Sequence, residues 1–543
     1  RRAVERADAT LARVLAARPA RSLVLVAGLA DTDATSRLHV AMADGPDWQG
    51  GWLTSAGTGR DGYVQLVDLA PTVLSALGRA APQRLFAGKP ASRVPGRPND
   101  LAQAVSGVHD ADRRAGAQRD VAGPFFVTLA AVQLLLFGFV VPLLVRARRH
   151  AGPTGPASPP RALLRVAELL LIAAALVLPA ALVADVVPWW RAAWPGAVFS
   201  LITALLVAAG TAAVRLTPRY GRTLQPMAVV AAIGVVVVVV DLLTGARLQL
   251  NGVAGYSALE GSRYAGVGGV GLGVLTAGTL VLGGCLAGVV RRSWRPLLVM
   301  LLLGGTAVLL VGSPVIGADP VGAIAVTAGV CVAAAMSAGG WLTFPRFAWA
   351  TAAGLAVTIG FAVLDLRRPE SDRGSLGHFL TALGNGTAGP AMQRAASANA
   401  QALLDSPLTL LALVGALMLL FTHYSPWGGL KRLFGLHPAV RAAAAGTTVA
   451  ALLAGVLSGS ALGVAGAAAA AMVPMAVLTV LRVLDHAADR TPAPGDTDGP
   501  GGPGLSSRAD QDDPPQAVEG PPSPVVAPDA TPGKRDVDGP TAR

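Results

Sequence analysis

Eleven stretches of about 20 mostly apolar residues follow one another between residues 123 and 490, each long enough for a helix to cross the hydrocarbon of a bilayer. They run Gly123–Val145, Leu163–Val187, Trp194–Val214, Pro226–Leu243, Gly266–Val290, Pro296–Val311, Asp319–Ala338, Phe347–Leu364, Pro407–Thr422, Ala442–Ser458 and Leu462–Leu484. Inside lipid every backbone N–H and C=O must find a partner within the protein, which restricts such a chain to a bundle of helices. A composition of 52% hydrophobic and 14% charged residues excludes an ordinary soluble protein. The expected fold class is therefore mainly α, a polytopic membrane helix bundle of about 11 transmembrane helices. It is flanked by an N-terminal region 1–122, with the membrane region at 123–490 and a polar tail at 491–543.

The net charge of +12 does not point to nucleic acid, because most Arg and Lys of the membrane region lie in short clusters between apolar stretches. Counted on alternate sides, one set of loops holds fifteen: Arg146, Arg148, Arg149, Arg161, Arg165, Arg215, Arg219, Arg222, Arg291, Arg292, Arg295, Arg346, Lys431, Arg432 and Arg441. The other set holds seven: Arg191, Arg247, Arg263, Arg367, Arg368, Arg373 and Arg394. Basic residues favour the cytoplasmic side, so the expected topology is a multi-pass protein of the cell membrane with its N-terminal region extracytoplasmic. An odd number of spans then places the tail in the cytoplasm. The tail has 12 Pro and 8 Gly among 53 residues, a composition that cannot bury enough apolar surface to order itself. The chain opens on Arg1, with its first Met at position 42, and is expected to begin within a larger gene product.

Asp185, Asp241, Glu260, Asp319 and Asp365 all fall at or beyond the expected outer ends of the spans, accompanied by Arg191, Arg247, Arg263, Arg367 and Arg368. Two readings follow. These residues anchor helix ends at the interface, or they line a vestibule in which Glu260, Arg263, Asp365 and Arg367 hold a polar headgroup. Two loops on that side, 244–265 and 367–406, are long enough to carry function, and the second contains His378 and a helical pattern over Ala391–Leu404. His378 joins Glu260, Arg263, Asp365 and Arg367 as a candidate substrate-binding residue, an acid, base or ligand, although no Cys, His or carboxylate stands at ligand spacing from it, which favours a structural or solvated role. Near the inner ends, Glu168 lies one turn from Arg165 and reads as a local pair. Cys285 and Cys331 sit inside apolar stretches, where no disulfide or zinc site is expected, and neither a phosphate-cradling nor a metalloprotease motif occurs.

The N-terminal region reads as an α/β layer: a helical face of Val4, Leu11, Val14 and Leu15, a buried strand Ser22–Gly28, further strands at Leu38–Ala43 and Tyr63–Val67, and a helix opened by Asp68 and Pro71 and closed by Gly78. This order, with LVLVAGL ending near Asp31, then LHVAMADGP, then GYVQLVDLAPTVLSALG, resembles the C-terminal part of the alkaline-phosphatase-like superfamily of phosphodiesterases, sulfatases and phosphoglycerol or phosphoethanolamine transferases. The resemblance covers residues 4–79 and implies a partial α/β domain with Asp31 at a metal-ligand position. The family's Asp-His pair and its later metal-binding His are missing, since no His follows Asp31 and His39 lies in the strand before Gly45-Pro46. A divalent metal is thus doubtful, no cofactor is visible, and the catalytic residues are unknown.

An external domain of this type ahead of many spans is similar to the glycolipid-anchor ethanolamine-phosphate transferases, and also to a group of actinobacterial multispanning integral membrane proteins. The resemblance implies an envelope protein that handles or senses a phosphorylated, lipid-linked molecule through a largely degenerate domain, with a membrane lipid or lipid-linked envelope molecule as partner and no nucleic acid. The alternative is a transporter or flippase with a non-catalytic external domain. The topology is checked by replacing Gly59 and Gly504 singly with Cys in a Cys-free background. An impermeant thiol reagent applied to intact cells labels position 59 and spares position 504; the reverse pattern inverts the assignment.

Overall fold

Six spans begin on a proline in their first turn, Pro195, Pro226, Pro296, Pro320, Pro345 and Pro438, where the missing N–H costs no intrahelical bond and the fixed φ favours a helical start. The computed structural model describes residues 2–31, 33, 35–82, 85–86, 88–150, 160–261, 263–288, 294–339, 343–368, 381, 384, 407–424, 429–457 and 462–488. Among them are fourteen α-helices: α1 (Arg2–Ala16), α2 (Leu69–Ala76), α3 (Leu101–His150), α4 (Arg161–Ala184), α5 (Pro195–Leu216), α6 (Gln225–Leu243), α7 (Gly269–Ala287), α8 (Arg295–Gly312), α9 (Pro320–Ser337), α10 (Phe344–Leu366), α11 (Pro407–Tyr424), α12 (Leu430–Leu436), α13 (Pro438–Leu457) and α14 (Gly463–Ala488). Ten of these are long and apolar enough to cross a membrane, which makes the chain a multi-pass membrane protein. The expected eleventh falls on α11, whose apolar helix Leu408–Tyr424 is shorter and at 1.5 Å per residue reaches only about 26 Å.

Small residues set how closely the spans approach. Helix α7 is the centre: a Cβ on Gly273 would stand 2.8 Å from Ala467 of α14, one on Gly278 2.9 Å from Val235 of α6, and one on Gly284 2.9 Å from Ala443 of α13. Helices α9 and α13 touch through backbone at Gly329 and Gly446. Since lipid tails are as apolar as a leucine face, van der Waals contact at such places holds the helices together.

Successive spans alternate between two faces of the bundle, here named the N-terminal face, where the extramembrane part of α3 stands, and the opposite face. On the opposite face Glu168 of α4 corrects the sequence reading. Its carboxylate pairs with Arg482 of α14 and accepts from the Tyr220 hydroxyl, and Arg165 is not its partner. Arg482 also donates to the Tyr220 carbonyl at 2.8 Å and stacks 4.5 Å over that ring. A tertiary partner with three acceptors outcompetes a solvated neighbour one turn away.

The N-terminal region contains two antiparallel ladders. Strand β1 (Val24–Ala27) pairs with β2 (Ala41–Asp44) in the register Val24↔Asp44, and β3 (Trp52–Ser55) pairs with β4 (Ala91–Val94) in the register Trp52↔Val94. Strand β1 is half-buried rather than buried, and β2 is its one paired edge among the described residues. The expected strand at Tyr63–Val67 is instead an extended lead into a 3-10 turn, Leu66–Asp68. The cause is Asp68, which does not cap α2. Its buried carboxylate turns back to accept from Gln65 N at 2.9 Å, Ser55 Oγ at 2.7 Å and Lys89 N at 2.8 Å. One side chain thereby ties β3, the turn and the lead into β4. The expected helix at Asp68–Gly78 forms as α2, with Gly78 at φ +69° behind it.

Helix α3 begins well before its apolar stretch, because Asp100 Oδ1 accepts from Ala102 N at 3.0 Å and caps it. The border expected at 122/123 lies inside this one helix.

The α9–α13 contact gives a direct check. A Cβ at Gly446 would lie 2.5 Å from the Gly329 carbonyl oxygen, whereas one at Gly305 of α8 meets nothing within 4 Å. Gly446→Ala lowers stability by about 1–3 kcal/mol in thermal unfolding of the detergent-solubilised protein. Gly305→Ala is neutral or gains up to about 1 kcal/mol of helix propensity. Equal effects at both positions would refute the packing.

Candidate functional site at the N-terminal face

Between α6 and α7 the chain must turn back among the ends of other helices, where its backbone has little water to bond. Polar side chains take over that role. Asp241, in the last turn of α6, accepts from Leu248 N at 2.9 Å and from Gln249 Nε2 at 3.0 Å. Gln249 Oε1 accepts in turn from Gly268 N at 2.6 Å, at the start of α7. Asn251 adopts φ +53° and its Oδ1 accepts from Ala258 N at 2.8 Å, while Tyr256 N donates to the Gln249 carbonyl at 2.8 Å. Gly255 is required there, because a Cβ would overlap that same carbonyl. Val253 and Ala254 are fully buried in the main core, so the loop is a folded plug between helix ends.

A second carboxylate closes the neighbouring gap. Asp185, just beyond α4, accepts from Trp189 Nε1 at 2.8 Å and Val253 N at 3.2 Å, and Arg114 of α3 approaches it to 4.0 Å. Arg114 also donates to the Asn251 carbonyl at 3.2 Å and lies 4.7 Å over the Trp190 ring. Burial pulls its pKa below the usual guanidinium value, against the opposing effect of Asp185. The N-terminal region sits on this layer: Arg60 donates to the Gly245 carbonyl at 2.8 Å, Gln65 to the Gly261 carbonyl at 2.9 Å, and Leu38 N to Asp112 of α3 at 2.8 Å. Tyr63 packs 5.9 Å from Tyr264, and burial pushes the Tyr63 phenol above its ordinary value and that of Tyr256 up to about 12.

Beside this closed layer lies an open groove of about 920 Å³, lined on one side by a single face of α3: Ala102, Val105, Ser106, His109, Asp110 and Arg113. Their spacing of three and four is that of neighbours along a helix. Arg191, from the turn between α4 and α5, forms the other side and binds Asp110 through Nε at 2.7 Å and Nη2 at 3.0 Å. These bonds, aided by Trp190 Nε1 at 3.1 Å, hold the Asp110 carboxyl below its usual range. Arg113 Nη2 donates to the Arg191 carbonyl at 3.0 Å. Nε and Nη1 of Arg113 and Nη1 of Arg191 have no hydrogen bond among the described residues. Trp194 and Val186, on the same turn, are 78% and 65% exposed, as side chains at a lipid interface are.

The vestibule expected from the sequence is distributed differently. Arg263 turns to Asp319, 3.6 Å away, and Asp319 caps α9 by accepting from Gly322 N at 3.0 Å. Asp365 is buried and faces Arg368 at 3.4 Å. Glu260 and Arg367 are exposed, and no contact joins Glu260 or Arg263 to Asp365 or Arg367 among the described residues. His378 and the pattern over Ala391–Leu404 lie outside the described residues. Asp31 accepts from Arg37 N at 3.1 Å and faces His39 Nε2 at 3.4 Å. That pair supplies two ligands, and no group of three or more metal-capable side chains occurs among the described residues.

Compared with protein-family models, with curated proteins and with solved structures, the chain matches none. The residues that build this face and that sequence reasoning passed over are Tyr63, Asp110, Arg113, Arg114, Gln249 and Asn251. The available signal was the cap at Asp100 and the helical spacing 102, 105, 106, 109, 110, 113, which Gly107 and Gly116 obscure. The plug depends on Asp241. Asp241→Ala leaves the part-buried Leu248 N–H and the buried Gln249 amide without their acceptor and costs about 3 kcal/mol. Limited trypsin digestion of the variant then cuts faster after Arg247 and Arg263 than in the parent; an unchanged digest would show that the carboxylate does not hold the loop.

Proposed function

We propose that this multi-pass protein resides in the cell envelope with its N-terminal face outward, and that it binds the phosphorylated headgroup of a lipid-linked molecule in the groove along α3. The observation that carries the reading is the end of the groove nearest the membrane. Arg113 and Arg191 there have guanidinium N–H groups with no acceptor among the described residues, and the exposed Trp194 follows Arg191 by three residues on the same turn. Arg forks match phosphate oxygens well, and an aromatic at the interface marks headgroup level. The outward orientation draws on the fifteen-to-seven distribution of basic residues.

The alkaline-phosphatase resemblance supports phosphate chemistry by analogy, and binding is favoured over turnover because Asp31 and His39 form only half a metal site. A transporter or flippase has less support. Gln249, Val253 and Ala254 fill the gap among the helix ends where a path would have to open.

The experiment is lipid analysis of the protein extracted in mild detergent. Phosphorylated lipids co-purify with the parent, and the double variant Arg113→Ala with Arg191→Ala retains at least about tenfold less, the loss expected for one or two charge-assisted hydrogen bonds. Equal retention by a variant with an unchanged melting curve would overturn the proposal.

A further inference from the structure

The groove is longer than a phosphate requires. Helix α3 enters its apolar stretch at Gly123, and a Cβ at Gly196, in the first turn of α5, would stand 3.5 Å from Val121. Arg113 is therefore the end of the groove nearest the membrane, and Ala102 is the far end. Eleven residues separate them, about 16 Å of helix. A phosphate between Arg113 and Arg191 occupies only the first third of that length.

The remainder changes character in order. Next to the arginines come Asp110, His109 and Ser106, and beyond them Val105, Ala102 and Leu101, with Val105 and Leu101 59% and 65% exposed. An acyl chain does not fit this order, because its place is in the bilayer and the apolar end points away from it. The sequence of cation, hydrogen-bonding side chains and small apolar patch suits a pyranose ring, which offers hydroxyls at its edges and C–H groups on its faces. Asp110 oxygens retain lone pairs while bound to Arg191, His109 offers a donor and an acceptor, and the Ser106 hydroxyl, which donates to the Gln103 carbonyl at 2.8 Å, still accepts.

We infer that the headgroup held in this groove is a glycosyl phosphate: the lipid-linked phosphate lies between Arg113 and Arg191, and one or more sugar units extend along α3 over Asp110, His109 and Ser106 toward Val105. The inference rests on the phosphate reading of the groove.

The test uses the full chain in nanodiscs and three probes: a long-chain alkyl phosphate, the same alkyl phosphate esterified to one hexose, and soluble hexose 1-phosphate. The glycosylated lipid binds about tenfold tighter than the alkyl phosphate, the gain of one or two hydrogen bonds with partial ring burial. His109→Ala, whose side chain is exposed and whose loss does not threaten the fold, brings the ratio of the two affinities toward one. Equal affinities in the parent overturn the sugar assignment and leave the phosphate reading standing. Failure of both lipids to bind overturns the two together. Soluble hexose 1-phosphate binding as tightly as the glycosylated lipid shows a site for a free sugar phosphate and overturns the lipid linkage.

Discussion

The carboxylate of Asp241 carries the constraint on which the N-terminal face depends. A helix satisfies its own backbone, but the 25 residues from Thr244 to Gly268 that join two spans must do so without a ladder, in a place where Val253 and Ala254 exclude water. Asp241 and Gln249 solve this in series: two donors converge on the carboxylate, and the Gln249 side-chain Oε1 accepts from the N–H of Gly268, the residue that opens the next span. Once the plug is fixed, its outward groups become the seat for Arg60, Gln65 and Tyr63, so the position of the N-terminal region follows from the way one loop meets its own hydrogen-bonding needs.

How much could be read from the chain follows from the range of each interaction. Hydrophobic length is a local property, so the spans were legible, and of the eleven expected only α11 falls short of a crossing length among the described residues. Capping and turn chemistry are nearly local, and Pro71 with Gly78 located α2. Asp68 reads as a cap by the same rules but is not one, because Ser55 and Lys89, distant in sequence, offer it better partners. Glu168 fails in the same way: Arg165 is near in sequence, while Arg482 is 314 residues away. The vestibule was expected from charged residues at helix ends, yet most of those charges were already committed to capping or closing gaps. Asp319 caps α9 and Asp185 holds Trp189 and the plug.

This distinction separates a binding surface from an interface that is merely polar. A charged group whose every donor or acceptor is matched has little left to offer a ligand, since breaking one buried bond to form another returns little net energy. Arg114 is half-buried and spent on Asp185, the Asn251 carbonyl and the Trp190 ring. Arg113, the preceding residue on the same helix, is turned by about 100° from it and lines the groove, where Nη2 is used and Nε and Nη1 have no acceptor among the described residues. Two adjacent arginines thus divide the work of the face, one holding the protein together and the other turned to what approaches it. Asp110 sharpens the difference, because it fixes the Arg191 guanidinium through Nε and Nη2 and leaves Nη1 without an acceptor among the described residues. An anion arriving there meets a cation already oriented, so less side-chain entropy is lost on binding than at an unbraced surface arginine.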